Sequence, residues 1–278
     1  MFDLPRLCDE TFVRYVDFHD ATPSTNDLAM RWAVAESLEL PVLVLAETQT
    51  AGRGRGGNRW WSARGGLTFS LVLEPAEDVL PPQRWPLVSL VTALAVREAL
   101  QTMVPAAECG AKWPNDLYLG GRKVGGILIE SVLRRPPRIV IGIGINLNNS
   151  LAAAPAELQA TASALCDAAG RELDATDALV GILQSIERWF DKFSDPAFPL
   201  AELWRPHCVL RGRVVRIENG TRQVVGVCQG IADDGALLVQ TESELQRCHT
   251  GTVTAVDGIR PGAALRAQDC RPDGIADQ

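Results

Sequence analysis

The sequence predicts strands alternating with helices over most of its length, followed by short strands that form a small β-barrel. Three observations carry this expectation. Apolar runs of strand length alternate with segments of helical period as far as about Phe193. The character of the chain changes around Arg205-Pro206. Beyond that point, Asn219-Gly220 sits between Val214-Val215-Arg216-Ile217 and Val224-Val225-Gly226-Val227, a strong hairpin signal because both turn residues accept positive φ. At 278 residues the chain has length for one or two domains with a real core. Its 46% apolar and 22% charged content is that of an ordinary globular protein.

Each element has its own signal. Ser24-Thr25-Asn26-Asp27 ahead of Leu28-Ala29-Met30-Arg31-Trp32-Ala33 reads as an N-cap with an acidic first helical turn. Pro41 to Ala46 is a short apolar strand, and a Gly/Arg-rich loop follows it. Leu67 to Leu73 alternates as a strand, and helical spacing of apolar residues predicts a long helix from about Gln83 to Met103. In Arg122 to Glu130, period-two alternation puts Lys123 and Gly125 on one face. In Ile139 to Asn146, the isoleucines at 141, 143 and 145 share one face, and Gly142, Gly144 and Asn146 share the other. The Ala-rich stretch from Asn149 to Ala175 reads as a connection with some helix, and a helix fits Thr176 to Phe193. Asp233-Asp234-Gly235 marks a turn before the strand at Ala236 to Val239. Short strands continue to about Arg260, and the polar tail frays. The boundaries expected are 1–205, 206–262 and a tail at 263–278.

Composition excludes several function classes. A net charge of -7 argues against broad nucleic-acid binding, which calls for a basic surface, so a locally basic loop is expected to meet a small anion. The N-terminus shows no signal-peptide pattern and no stretch is long and apolar enough to span a bilayer, so a cytoplasmic protein without a membrane partner is expected. Seven scattered cysteines form no C-x-x-C pair, which fits free thiols in a reducing compartment. Three histidines in no ligand spacing predict no metal site and no Ser-His-Asp hydrolase. A Walker loop is missing, and Gly142-Ile143-Gly144-Ile145-Asn146 is not a dinucleotide fingerprint.

Two segments carry chemistry. Gly52-Arg53-Gly54-Arg55-Gly56-Gly57-Asn58-Arg59-Trp60-Trp61 combines backbone that can turn N–H groups to a ligand, guanidinium forks and an aromatic pair. It reads as a loop closing on a partly apolar anion, or alternatively as an Arg/Gly segment that binds RNA or merely solvates itself. Lys112-Trp113-Pro114-Asn115-Asp116 either gathers a cation, an amide and a carboxylate around a reacting centre or makes a turn. The glycine face of Ile139 to Asn146 leaves room for a ligand or for close sheet–helix packing.

Taken in order, Ser24-Thr25-Asn26, the loop from Gln49 to Trp60, Lys112-Trp113-Pro114-Asn115-Asp116, Arg122-Lys123-Val124-Gly125-Gly126-Ile127-Leu128 and Gly142-Ile143-Gly144-Ile145-Asn146 resemble the biotin protein ligase family. The resemblance is strong from about Phe18 to Asn148 and weaker toward the C-terminus. It implies an α/β (α+β) catalytic domain with a mixed sheet and a small SH3-like barrel, in a short form without the family's N-terminal DNA-binding domain. It implies ligation of biotin to a lysine of a biotin carboxyl carrier domain through biotinyl-5'-AMP, with ATP and Mg²⁺, as a monomer or homodimer that binds no DNA. By the same resemblance, Ser24, Thr25, Asn26, Gln49, Arg53, Gly54, Arg55, Trp60, Lys123 and Gly125 match biotin-binding positions. Arg53, Arg55, Lys112, Asn115, Ile127 and Asn146 match positions around the nucleotide. Lys123, Arg55 and Asp116 match catalytic ones, Asp116 as a hydrogen-bond partner or base for the incoming amine. The loop is expected to be mobile without ligand and to close over the adenylate. Asn58 departs from the family pattern G-R-G-R-x-G-R-x-W, in which an arginine stands there; Arg59 beside it offers a different reach. A lipoate or octanoate ligase or transferase of the same fold is the alternative within the class, and an Arg/Gly nucleic-acid binder the alternative outside it.

Overall fold

A computed structural model describes residues 2–36, 39–77, 79–132 and 135–255. The chain divides into two compact units, Met1–Val209 and Leu210–Gln278.

The first unit contains α1 (Leu4–Asp9), β1 (Tyr15–Thr22), α2 (Thr25–Val34), β2 (Val42–Gln49), β3 (Leu67–Leu73), α3 (Trp85–Met103), β4 (Cys109–Lys112), β5 (Asp116–Leu119), β6 (Arg122–Val132), β7 (Arg138–Ile145), α4 (Ala156–Thr161), α5 (Leu165–Ala169), α6 (Ala175–Phe193) and α7 (Leu200–Trp204). Seven strands form one mixed sheet in the order β1-β2-β3-β7-β6-β5-β4. Among the strands of this sheet in the described residues, β1 and β2 alone pair in parallel, and α2 is the crossover such a pair requires. Two elements escaped the sequence pattern. Helix α1 is six residues long, held by an Asp3 cap and Pro5, too short to show a period. Strand β1 mixes exposed and half-buried positions without alternation.

Sequence alternation in β3 suggests one wet face, but all seven of its residues are buried. The polar ones are absorbed by hydrogen bonds. Thr68 Oγ1 donates to the Ala46 carbonyl at 3.1 Å, and the Ser70 hydroxyl reaches Asn26 of α2 at 2.6 Å. Helix α2 lies over β2, β3 and β7, with Ala29 and Ala33 packed on Val42, Val44, Val72 and Val140. Its far end is pinned by Arg138, which is 4% exposed. That guanidinium pairs with Glu74 at 2.8 Å and donates to the Ala33 and Ala35 carbonyls, which the helix end leaves unsatisfied. Helix α3 lies against β4, β5 and β6 and packs on α6.

One register feature overturns a sequence expectation. Leu117 pairs with Gly125 and Tyr118 pairs with Lys123, so Val124 is an extra residue in β6. Such a bulge breaks the period of two. Lys123 therefore shares a face with Tyr118, Asp116 and Gly126, not with Gly125. A Cβ placed on Gly125 would meet the Gly144 carbonyl, Leu117 and Ile145, the packed face.

The second unit contains β8 (Val214–Asn219), β9 (Arg222–Ile231), β10 (Leu237–Gln240), β11 (Leu245–Cys248) and β12 (Thr252–Ala255). They form an antiparallel sheet ordered β11-β10-β9-β8-β12, a meander whose last strand returns to the far edge beside β8. The Asn219-Gly220 turn joins β8 to β9 with Gly220 at φ 60°, as the hairpin signal requires. Val214, Val215, Ile217, Cys228, Leu237 and Val239 make its core. The strands expected to about Arg260 and the tail at 263–278 lie outside the described residues beyond Ala255.

Gly142 fixes how closely α2 approaches the sheet, because a Cβ there would fall 1.9 Å from Asn26 Oδ1. Gly142→Ala forces helix or strand to move, and overpacking of this kind costs about 1–3 kcal/mol. Urea unfolding should show a lower midpoint with an unchanged slope. A midpoint equal to wild type would mean that α2 yields freely.

Candidate active site

The site is built on one face of the sheet, along a row of residues in register. Thr68 of β3 pairs with Gly144 of β7, Gly144 with Gly126 of β6, Gly126 with Asp116 of β5, and Asp116 with Lys112 of β4. Strands lie about 4.8 Å apart, so Gly144 to Lys112 spans roughly 14 Å. Two of the five positions, Gly144 and Gly126, are glycines, which leaves room above the sheet between longer side chains.

At one end of the row stands Trp60. Its indole lies so close over Gly144 that a Cβ would sit 2.5 Å from the ring. At the other end Lys123 Nζ meets Asp116 Oδ1 at 2.6 Å, with both groups partly exposed. Lys112 lies on the same face, its ammonium 5.7 Å from the Tyr118 ring centre. Two ammonium groups and the Asp116 carboxylate thus gather at this end. The row runs from an aromatic cover to a charged end.

The start of α2 forms the next wall. Ser24 occupies the N-cap position, but its side chain makes no cap hydrogen bond. Gln49 does that work: its Oε1 accepts the Thr25 N–H at 2.7 Å and lies 3.2 Å from Thr25 Oγ1. The expected Ser24 cap is therefore replaced by one from β2, which sets Gln49 against Thr25 and leaves its amide nitrogen beside Gly52 of the loop. Ser24, Thr25 and Asn26 are all buried under 5% exposure.

The Gly/Arg loop is a small hairpin. Trp60 N–H donates to Gly52 O at 2.9 Å, Gly54 N–H to Asn58 O at 2.7 Å, and Arg53 bridges Arg59 through the backbone. Gly56 and Gly57 turn its tip at φ 66° and 83°. Asn58, the departure from the family pattern, closes that tip: its Nδ2 donates to Arg55 O at 2.9 Å. At the loop's root the Arg53 guanidinium faces two carboxylates. Nε meets Asp27 at 2.8 Å, and Nη1 and Nη2 meet the two Glu130 oxygens at 3.1 and 2.5 Å. Exposed ion pairs contribute only about 0–1 kcal/mol. The weight of this clamp is therefore geometric: it fixes where the loop springs from the sheet.

The remaining expected residues are placed unevenly. Asn115 sits in the turn between β4 and β5, its Nδ2 spent on Ile127 O at 2.8 Å. The Ile127 N–H returns the bond to Asn115 O at 2.9 Å, and the Ile127 side chain is 2% exposed on the packed face. Ile127 and Gly125 thus turn away from the row, because the residues beside them, Gly126 and Leu128, take its face. Asn146 lies at the end of β7, 6% exposed, with its Oδ1 accepting from Asn149 Nδ2 at 3.1 Å. That bond leaves the Asn146 amide nitrogen as a donor. Lys112-Trp113-Pro114-Asn115-Asp116 is both a turn and a source of site groups, with Trp113 buried at 2%. Sequence reasoning passed over Ser70, Glu130 and Asn149. Glu130 had a signal, since it lies an even number of residues beyond Gly126 on the same face.

Known proteins resemble this chain in sequence and fold. The Biotin/lipoate A/B protein ligase family matches residues 18–146, and the Biotin protein ligase C terminal domain matches residues 212–254. A Bifunctional ligase/repressor BirA of Bacillus subtilis is 32% identical over 89% of this chain and 76% of its own length. The chain belongs to the biotin protein ligase family. A Biotin--[acetyl-CoA-carboxylase] ligase of Paracoccus denitrificans is 34% identical over 79% of this chain and 91% of its own. The biotin protein ligase of Aquifex aeolicus, solved in complex with biotin and ATP, superposes with a TM-score of 0.75 at 27% identity. It covers 87% of this chain and all of the Aquifex chain.

The clamp also has a pH signature. Burial raises the Glu130 carboxyl, but hydrogen bonds from Arg53 and Asn26 outweigh it and hold the group below the ordinary carboxylate range. A depressed folded value gives stability that is present above the unfolded value and lost as pH falls through the folded one. The stability gap between wild type and Glu130→Gln should therefore be full at neutral pH and shrink below about pH 4.3. Urea unfolding of both proteins across that range measures it. A gap that stays constant on acidification contradicts the clamp as an ionised pair.

Proposed function

We propose that this member of the biotin protein ligase family joins biotin to a lysine of a biotin carboxyl carrier domain at the expense of ATP. The observation that carries the reading is the register row from Gly144 to Lys112, with an indole over one end and a lysine pair at the other. A ligand with an apolar body and a terminal carboxylate fits it lengthwise. Ser24, Thr25 and the amide of Gln49 supply neutral donors and acceptors, which suit a ureido ring that carries no charge. Trp60 covers the apolar body, and Lys123 with Lys112 receives the carboxylate and the α-phosphate.

The first step forms a bond from a biotin carboxylate oxygen to the α-phosphorus and breaks the α–β bridge, releasing pyrophosphate. Negative charge gathers on the α-phosphoryl oxygens as this happens, and a fixed ammonium is worth most there. We assign that charge to Lys123, with Asp116 holding the ammonium in place beforehand. The second step forms the amide bond from the carrier lysine to the biotin carbonyl carbon and expels AMP. When Lys123 turns to the phosphate, Asp116 is released to take the proton of the incoming amine. We assign the Asn146 amide nitrogen to the nucleotide as a donor. Asn115, with its amide nitrogen bound to β6, acts by holding the β4–β5 turn. We assign Mg²⁺ to the phosphates of ATP, where this hard cation takes oxygen ligands; the described residues hold no cluster of three His, Cys, Asp or Glu groups that could bind it.

Incubation with ATP, Mg²⁺, biotin and a carrier domain, followed by intact mass of the carrier, tests the activity. Lipoate in a parallel reaction tests its substrate. Transfer of lipoate in preference to biotin would move the chain to the other branch of its family. Lys123→Ala should slow biotin-dependent pyrophosphate release on the order of 10²–10³-fold. The fold should survive, since the Lys123 side chain is 36% exposed. Near-normal release removes Lys123 from the site. We further assign Arg55 to the lid over the adenylate, which keeps water and stray amines from the anhydride. Arg55→Gly should let the adenylate escape faster and label lysines of a bystander protein. Retention for as long as wild type means that Arg55 is not part of a lid.

A further inference from the structure

Glu130 touches both the loop and the buried start of α2. Its Oε2 accepts from Asn26 Nδ2 at 2.9 Å, and its two oxygens take the Arg53 fork. We propose that Glu130 is a positioning residue that couples recognition of the biotin ring to the seating of the Gly/Arg loop. The proposal rests on the ligase reading above.

The coupling follows from donor and acceptor accounting. A carboxylate can only accept. Glu130 therefore draws the Asn26 amide nitrogen toward itself and turns Asn26 Oδ1 the other way. That oxygen can only accept, so the Ser70 hydroxyl at 2.6 Å must donate to it. Ser70 has one proton and gives it to Asn26, and the Thr25 hydroxyl lies 2.9 Å from Ser70 Oγ and 3.2 Å from Gln49 Oε1, so its single proton serves one of those two contacts. The Thr25 proton is thus directed to Ser70 or Gln49, and its oxygen keeps a lone pair for a ring N–H. Thr25 is in turn locked to Gln49 by its backbone N–H. Glu130, with the Leu128 carbonyl beside it, thus sets the direction of the bonds between Asn26 and Ser70. The steric fit supports a fixed chain, because the gap at Gly142 holds the Asn26 amide with no room for another side chain.

The same charge removes Arg53 from direct anion binding. Three of its five N–H groups are taken by Asp27 and Glu130, and two carboxylates around one guanidinium leave the cluster net negative. Arg53, matched by resemblance to both the biotin and the nucleotide positions, is reassigned to the root of the loop. The loop guanidinium assigned to the phosphate is then that of Arg55. A ligand that disturbs Thr25 is felt at Arg53 through four side chains.

The test measures adenylate release from the full-length protein with biotin and ATP, together with the KM for biotin. Glu130→Gln keeps the shape but offers a donor where the network needs two acceptors. Release should rise about tenfold or more and the KM for biotin should rise, while pyrophosphate release at saturating biotin changes less. Glu130→Asp keeps the charge at shorter reach and should fall between. Ser70→Ala, which breaks the chain away from the loop, should speed release in the wild-type background and add nothing in Glu130→Gln. Wild-type release from both Glu130 variants overturns the proposal. So does an undiminished effect of Ser70→Ala when Glu130 is already gone. Should Glu130→Gln fail to fold, Glu130→Asp with and without Ser70→Ala decides on the same terms. A wild-type protein with no biotin-dependent pyrophosphate release instead overturns the ligase reading, and the two failures are told apart by that control.

Discussion

Helix α2 sits where it does because β7 has no side chain at Gly142. The amide of Asn26 fills the space a Cβ would take, and from that contact the geometry of the site follows. The helix start is brought down onto the sheet, which puts Ser24 and Thr25 beside Gln49 of the neighbouring strand. Arg138 holds the other end of the same helix, so α2 is fixed at both ends over one strand. A polar residue is buried here at little cost, because each of its groups finds a partner in Ser70, Leu128 or Glu130.

Charge is distributed along the same face with a clear division. Toward one end stand the ammonium groups of Lys112 and Lys123 with the Asp116 carboxylate. Toward Arg53 there are two carboxylates for one guanidinium, which favours holding the loop. The two clusters differ by only a few residues along β6, from Lys123 to Glu130. The bulge at Val124 is what lets them share a face, since without the extra residue Lys123 would point to the packed side.

Much of this was legible in the chain. The hairpin at Asn219-Gly220, the long helix ending at Met103 and the division of β7 into isoleucine and glycine faces all stand as their patterns indicate, and Leu67 to Leu73 is a strand, though buried on both faces. These are local properties, set by turn chemistry and by hydrophobic period. Helix α1 and strand β1 were not legible, because one is too short and the other, at the sheet edge, lacks a buried face of its own. Gln49 and Trp60 carried their signal through resemblance, and nothing in their neighbours says what they would touch.

The sequence by itself determined the family, the order of the elements and the residue types that gather in the site, because motif spacing and periodicity survive without coordinates. The tertiary structure decided which of those residues face the same way. Gly125 and Ile127 turn into the core, Gln49 caps the helix in place of Ser24, and Arg53 spends its donors on Glu130. Each outcome depends on a partner more than twenty residues distant in the chain or on a single bulge. A pairing between distant residues, or one extra residue in a strand, reverses a side chain's direction without altering the local pattern from which it was expected.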